Sequence, residues 1–136
     1  MNQLVSAIQV GETLPEIVIP LTPTSIAAAA IATRDYQPVH HDLDRSRDLG
    51  SEHVFLNTHS TAGYLERLVK EWTGPGAFLK SVKFRLGTPS YAGDTLRLQG
   101  EVSTVSDDGK LAEIRVIGLN SRGVHVEGTV TVGLGS

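Results

Sequence analysis

Residues 58–72, THSTAGYLERLVKEW, are the stretch that decides the fold of this chain. Apolar side chains recur there at steps of three or four residues: Ala62, Leu65, Val69 and Trp72. This spacing predicts a long amphipathic helix with one buried face. Gly74 and Pro75 follow directly and form a typical helix stop. We therefore expect one long helix over residues 58–72, whose apolar face must pack against another element.

After Gly76 the apolar period changes to two. Apolar residues then alternate with polar ones in four runs: 82–86, 96–102, 114–116 and 124–132. Turn-forming residues separate the runs, which predicts consecutive antiparallel strands. Before the long helix, the sequence predicts a short strand ending at Pro20. It also predicts a first helix that a hydroxyl residue in Thr22-Pro23-Thr24-Ser25 caps and that runs through about Thr33. This order predicts an α+β, hot-dog domain in which an antiparallel sheet wraps around the long central helix.

The composition excludes several classes of protein. The 136 residues are 40% hydrophobic and 20% charged, which predicts a single folded domain over residues 1–136. The formal net charge is −3 and no run of basic residues occurs, so we expect no nucleic-acid partner. The absence of cysteine excludes disulfides and zinc–thiolate sites. Residues 1–5 resemble no secretion signal and no apolar run could cross a membrane, so we expect a soluble, cytoplasmic protein.

The residues with chemical potential lie in residues 34–42, RDYQPVHHD. They begin a polar stretch, 34–52, that we expect to be an irregular loop with one helical turn. Pro38 fixes its own backbone and restricts Gln37, so the chain must turn between Asp35 and His40. A carboxylate and an imidazole can then face one small space and hold a water as acid and base. The spacing alone is a weak signal, because many such pairs are simply solvated.

The same stretch resembles the signature of MaoC-like, (R)-specific enoyl-CoA hydratases, which runs roughly Gly-Asp-x-Asn-Pro-hydrophobic-His-x-Asp. The matching positions are Asp35, Pro38, Val39, His40 and Asp42. Further likeness lies in residues 54–58, 84–85 and 93–96. The sequence departs from the signature at Arg34, where glycine is usual, and at Gln37, where asparagine is usual. It also has Asn57-Thr58 where the family has His-Gly at the start of the long helix.

This resemblance implies the addition of water to an α,β-unsaturated acyl-CoA, giving a 3-hydroxyacyl-CoA. Asp35 and His40 would hold the water, with Asp35 favoured as the base and the pair returning a proton to the α-carbon. The backbone N–H of Thr58 would stabilise the thioester oxygen, and Gln37 and Asn57 would support the pair. No metal or redox cofactor is implied. Coenzyme A enters as part of the substrate, and the sequence does not single out the lysine or arginine that binds its phosphates.

Three further segments, 33–37, 72–76 and 85–89, resemble the small catalytic subunit of actinobacterial steroid side-chain enoyl-CoA hydratases. Those subunits pair with a second MaoC-like chain that lacks the catalytic residues. The resemblance thus implies either a heteromer with such a chain or a homodimer. The predicted fold agrees, because a curled sheet leaves an edge that small domains usually cover. We expect the acyl pocket to lie between the two subunits.

The other histidines have simpler interpretations. His41 adjoins the predicted catalytic histidine, but adjacent side chains diverge and no second cluster at ligand spacing follows, so we predict no metal site. His53 and His59 flank the start of the long helix and are expected at the surface or behind the site. His125 lies on the polar face of an alternating strand and is predicted to be solvated.

Two other functions stay open at this point. A hot-dog thioesterase would use a carboxylate on the long helix, where Glu66 is available but no acidic motif occurs at the helix start. A MaoC-like subunit without activity would only shape the pocket of a partner. The presence of both Asp35 and His40 argues against such an inactive subunit.

Overall fold

A five-stranded antiparallel sheet packs around one long helix in the computed structural model, which describes residues 8–134. The helices are α1 (Pro23–Ala32), α2 (Leu43–Asp48) and α3 (Thr58–Thr73), with a 3-10 turn at Pro38–His40. The strands are β1 (Ile17–Pro20), β2 (Ala77–Leu86), β3 (Thr95–Val105), β4 (Leu111–Asn120) and β5 (Gly123–Leu134). The strand order is β1-β3-β4-β5-β2, and α3 contacts β2, β3 and β5. The predicted hot-dog fold is therefore confirmed.

Helix α3 begins where the sequence predicts and extends one residue further. Asn57 caps its start, since its side-chain oxygen accepts a hydrogen bond from the Ser60 N–H at 3.3 Å. Gly74 ends it with φ of 78°, a conformation that glycine adopts freely. The apolar face of the helix is buried at Leu65, Leu68, Val69 and Trp72. These side chains pack on buried sheet residues that include Leu98, Val102, Ile114, Val116 and Val130. The core is thus the space between α3 and the sheet.

The C-terminal end of α1 places Asp35. The Arg34 N–H donates to the Ile31 carbonyl at 3.0 Å, and the Asp35 N–H donates to the Ala30 carbonyl at 2.9 Å. This pair of hydrogen bonds is the Schellman pattern, which needs a left-handed residue just after the helix. Arg34 supplies it, with φ of 57°. The chain then reverses so that Asp35 points back toward the start of α3.

The segment between α1 and α3 is more regular than predicted. The sequence indicated an irregular loop with one helical turn, whereas the structure has both the 3-10 turn and the six-residue α2. Asp42 caps α2 by accepting a hydrogen bond from the Arg45 N–H at 3.1 Å. Ser46 is the buried residue of α2, and its hydroxyl donates to the His53 carbonyl at 2.9 Å. A short polar helix held by such contacts has no apolar period to reveal it.

The predicted solvation of His125 is wrong, because the residue is only 3% exposed. The pairing of β5 with β4 skips one residue between Val126 and Val124, which leaves His125 as the extra residue of a β-bulge. The bulge reverses the alternation of side chains along β5. Val124 therefore faces outward, at 37% exposed, and His125 faces the interior.

Both ring nitrogens of His125 have partners. Nδ1 lies 2.7 Å from the carbonyl oxygen of Thr88, so Nδ1 carries the proton and donates it. Nε2 then accepts a hydrogen bond from the Thr61 hydroxyl, whose oxygen lies 2.8 Å away. Burial lowers the pKa of His125 below its ordinary value of 6.5, although the Thr88 hydrogen bond acts in the opposite direction. His125 is thus a neutral residue that ties β5 to α3 and to the segment after β2.

Two expectations concern the chain as a whole. No helix within residues 8–134 is both long and apolar enough to cross a membrane. The expectation about a leader in residues 1–5 lies outside the described residues.

Candidate active site

Asp35 and His40 lie side by side, as the sequence predicted. The Nε2 atom of His40 is 3.4 Å from the Oδ2 atom of Asp35. The 3-10 turn at Pro38–His40 makes this approach possible, and the His40 N–H donates to the Gln37 carbonyl at 3.1 Å within it. The imidazole is buried, while the Asp35 side chain is 23% exposed. The pair is therefore sheltered on the histidine side and reachable on the carboxylate side.

A backbone carbonyl sets the protonation pattern of His40. Its Nδ1 atom lies 2.7 Å from the carbonyl oxygen of Phe55. A carbonyl only accepts hydrogen bonds, so Nδ1 carries the proton and Nε2 of the neutral ring keeps its lone pair. The Phe55 ring also packs edge-to-face on the imidazole, with centroids 4.9 Å apart. Nε2, the nitrogen that faces Asp35, is thus free to accept a proton.

Hydrogen bonds keep Asp35 ionised. The Asn57 side-chain amide donates to Oδ2 at 3.1 Å, and the Gln37 N–H donates to Oδ1 at 3.3 Å. Partial burial, the largest single influence, raises the pKa of Asp35. The hydrogen bonds, together with the positive charge of two nearby histidines, outweigh it and bring the pKa below the ordinary value of 3.8. The site therefore presents an ionised carboxylate and the Nε2 atom of His40 to one space.

Asn57 links this pair to the start of α3. Its amide nitrogen donates to Asp35 and also lies 2.9 Å from the Thr33 hydroxyl oxygen, while its oxygen caps the helix. Thr58 is the first residue of α3. Within residues 8–134 the Thr58 N–H makes no hydrogen bond, as expected for the first turn of a helix. The predicted oxyanion donor thus begins the helix that Asn57 anchors to the carboxylate.

The remaining predicted residues have smaller parts. Gln37 supports Asp35 through its backbone N–H, while its side chain is exposed. His59 is exposed, and its charge is one of those that lower the pKa of Asp35, in keeping with a position behind the site. His53 is half-buried and accepts the N–H of Val54 at 2.8 Å. Among the residues described, no three histidine or acidic side chains lie close enough together to hold a metal ion.

Sequence reasoning missed three contributors to the site. The Phe55 carbonyl acts through the backbone, so no side-chain pattern reveals it. Thr33 donates its hydroxyl to the α1 carbonyls and accepts from Asn57, and a hydroxyl at a helix end was the one available signal. Ser60 lies buried in the first turn of α3, and its hydroxyl has no hydrogen-bond partner within residues 8–134.

The chain is similar to known proteins over most of its length. Residues 7–122 match the family described as the MaoC like domain. The 3-oxo-4,17-pregnadiene-20-carboxyl-CoA hydratase beta subunit of Mycobacterium tuberculosis is 43% identical over 125 residues, which cover 92% of this chain and 95% of that protein. In the crystal structure of the ChsH1–ChsH2 complex from the same organism, a chain 43% identical matches with a TM-score of 0.89, covering 93% of this chain and 98% of that chain. The (R)-hydratase from A. caviae involved in PHA biosynthesis matches with a TM-score of 0.87 at 20% identity, over 94% of this chain and 98% of that chain, and supports the fold alone.

Proposed function

This chain belongs to the MaoC-like domain family, and from that premise we propose that it is the catalytic subunit of an enoyl-CoA hydratase. The reaction adds water across the double bond of an α,β-unsaturated acyl-CoA and yields a 3-hydroxyacyl-CoA. The observation that carries the proposal is the contact of Asp35 with His40 at 3.4 Å. A carboxylate and an imidazole nitrogen that both accept protons can together hold and activate one water.

His40 is the better base of the two. An imidazole is ordinarily a much stronger base than a carboxylate, and the contacts of Asp35 make its carboxylate weaker still. The water O–H bond breaks toward Nε2 of His40 while the water oxygen bonds to the β-carbon. Asp35 accepts a hydrogen bond from the second O–H of the water, which stays on the oxygen, and its charge stabilises the imidazolium that forms beside it. The family resemblance favoured Asp35 as the base; the Phe55 hydrogen bond, which places the proton of the neutral ring on Nδ1 and its lone pair on Nε2, favours His40.

The second half of the reaction returns the same proton. As the water adds, the π electrons of the double bond move toward the thioester oxygen. The Thr58 N–H, at the positive end of α3, stabilises the charge that grows on this oxygen. Nε2–H of His40 then protonates the α-carbon, so one water has been added and both side chains return to their starting states.

The substrate class and the partner follow from relatives of known identity. The relative that is 43% identical is the beta subunit of a hydratase for a steroid-derived carboxyl-CoA, and the matching crystal structure is a complex of two proteins. We therefore propose a bulky, steroid-like acyl group and a second MaoC-like chain as partner, with a homodimer as the alternative. The edge strand β2 carries the exposed Phe78 and Leu86, which suit a contact with another chain.

The test measures the loss of enoyl-thioester absorbance on hydration. It is run with the chain alone and with the chain co-expressed with the second MaoC-like protein that we propose as its partner. Short-chain and steroidal enoyl-CoAs serve as substrates. We expect Asp35→Asn and His40→Ala each to lower kcat by about 100-fold or more. His41→Ala is the matched control, since this adjacent histidine is exposed and its ring contacts the Tyr36 carbonyl. Folding of each variant is checked by circular dichroism.

Two results would count against hydration. Full activity in both Asp35→Asn and His40→Ala would mean that the pair is not catalytic and that this chain only shapes the pocket of a partner. Release of free coenzyme A thiol without hydration would identify a thioesterase. No specific observation favours hydrolysis, because Glu66 is exposed on α3 and makes no contact with the Asp35–His40 pair.

A further inference from the structure

Arg34 holds a backbone conformation that suits glycine. Its φ is 57°, and it is the one non-glycine residue with positive φ among residues 8–134. The position is fixed by the Schellman pattern that ends α1 and directs Asp35 toward Asn57. An arginine there carries a steric strain that a glycine would avoid. The chain therefore tolerates an unfavourable residue immediately beside its proposed catalytic carboxylate.

The side chain of Arg34 does not offset this strain within the chain. It is exposed, and within the described residues its guanidinium has neither an ion pair nor a hydrogen bond. Four other arginines pair with glutamates, namely Arg67, Arg85, Arg97 and Arg122, whereas Arg45, Arg47 and Arg115 have no ion pair within residues 8–134. A positive charge at the end of α1 is mildly favourable, but a glycine in the left-handed position is favourable too. Strain kept at such a place points to a role for the side chain outside the chain itself.

The surroundings of Arg34 indicate what it meets. Asp35 turns inward, so Arg34 lies at the rim of the Asp35–His40 pair. Ile31 is 55% exposed and Tyr36 is 65% exposed on either side of it in the sequence. This stretch therefore exposes a cation, an aliphatic side chain and an aromatic side chain to solvent, groups that suit a ligand with both negative charge and a flat or apolar part.

We propose that Arg34 binds the phosphate groups of the coenzyme A portion of the substrate. The inference rests on the proposed function, in which the substrate is a coenzyme A thioester. The protein has a formal net charge of −3, so a polyanionic substrate requires a local cation to bind. The planar guanidinium matches phosphate oxygens in a two-pronged geometry. An apolar acyl group offers no partner to a guanidinium, whereas the phosphates of coenzyme A do. We therefore assign Arg34 to the coenzyme A side of the site.

The direct test measures coenzyme A binding to the active assembly by titration calorimetry. Arg34→Gly removes the charge and fits φ of 57° without strain, so we expect it to fold with an unchanged or higher melting temperature. Its affinity for coenzyme A should fall about tenfold, the loss expected for one charge-assisted hydrogen bond. Arg34→Lys should have an intermediate affinity for coenzyme A, because lysine keeps the charge but lacks the planar guanidinium that binds phosphate through two N–H groups. Arg115→Ala removes an exposed charge from β4 and serves as the control.

A kinetic comparison separates the coenzyme A portion from the acyl portion. The same enoyl group is supplied as the coenzyme A thioester and as the N-acetylcysteamine thioester, which has no phosphates. In Arg34→Gly, the ratio of kcat/KM for the first substrate to kcat/KM for the second should fall about tenfold. The loss should shrink as salt is added, because exposed charges are screened. Arg115→Ala should keep the wild-type ratio.

Several outcomes would overturn the inference. Equal coenzyme A affinity in Arg34→Gly and wild type would do so, as would a fall in activity that is the same for both thioesters. Dissociation of Arg34→Gly into monomers on gel filtration would show that Arg34 instead meets the partner chain. Wild type that fails to bind coenzyme A would overturn both this inference and the proposed substrate. Binding through Arg34 without hydration of any enoyl thioester would remove the proposed function and leave this inference standing.

Discussion

Asn57 serves two purposes that substitution can separate. Its oxygen caps α3 through the Ser60 N–H, and its amide nitrogen donates to Asp35 and to the Thr33 hydroxyl. Asn57→Ala removes both the helix cap and the two hydrogen bonds of the amide nitrogen. Loss of the cap costs about 1 kcal/mol, and loss of the two buried amide contacts adds about 1 kcal/mol. We therefore expect Asn57→Ala to lower the free energy of unfolding by about 2 kcal/mol, as measured by urea denaturation.

Asn57→Ser keeps the cap, because a serine hydroxyl accepts the same helix N–H, but it cannot donate to Asp35 as the amide does. We expect this variant to lose about 1 kcal/mol, half of the cost of the alanine variant. Both variants should raise the pKa of Asp35 toward its ordinary value, because the Asn57 hydrogen bond helps to hold that pKa below 3.8.

The two measurements check each other. The titration of the Asp35 carboxyl group is followed by carbon-13 NMR, and the unfolding series is run at neutral pH. If Asn57→Ser keeps the wild-type pKa of Asp35, the Asn57–Asp35 hydrogen bond does not control ionisation of the carboxylate. Equal stability of the serine and alanine variants would show that Asn57 does not act as a cap. Either result refutes the corresponding half of the reasoning.

Three other substitutions test the packing around the site. Gly87→Ala should lower the free energy of unfolding by about 1–3 kcal/mol in urea, because its Cβ would collide with the Val124 carbonyl; an unchanged midpoint would contradict this close approach. Ser60→Ala should leave stability unchanged or raise it, since it removes a buried hydroxyl without a partner; a loss above about 1 kcal/mol in urea would reveal a hidden partner. Because the pKa of His125 is lower in the folded chain than its ordinary 6.5, the unfolded chain binds more protons below that pH, and stability should fall as the pH decreases below 6.5. His125→Gln should lose part of this dependence in thermal melts across that range, and a slope equal to that of wild type would contradict it.

The elements that carry a strong period were predictable. Helix α3 and strands β3, β4 and β5 each bury one face, and β2 packs the partly buried Val82 and Phe84 against the same core. The spacing of Leu65, Val69 and Trp72 or of the alternating valines was therefore enough. Pro38 was also informative, because its fixed backbone requires the turn that brings Asp35 to His40. The short helix α2 was not predictable by these means, since its residues are held by Asp42 and Ser46 rather than by an apolar face.

His125 shows where period reasoning fails. The sequence 124–132 alternates without a break, and that alternation predicts His125 on the solvent side. A bulge adds one residue to the register and moves every side chain beyond it to the other face. At the bulge, the N–H groups of Gly87 and Thr88 donate to the carbonyls of His125 and Val124 from a distant part of the chain. No local pattern around His125 contains this information.

The site also has one part that the sequence could indicate and one part that it could not. The side chains of Asp35 and His40 were visible in the sequence, but the groups that define their chemistry belong to the backbone. The Phe55 carbonyl selects the tautomer of His40, and the Gln37 N–H helps to keep Asp35 ionised. Since backbone groups are present in every residue, the signature can change from asparagine to Gln37 without loss of the contact with Asp35, and Thr58 keeps the backbone N–H that we propose as the oxyanion donor. Arg34 is a different case, because only its side chain distinguishes it from the glycine that the backbone would favour, and its substitution therefore tests substrate binding rather than the geometry of the catalytic pair.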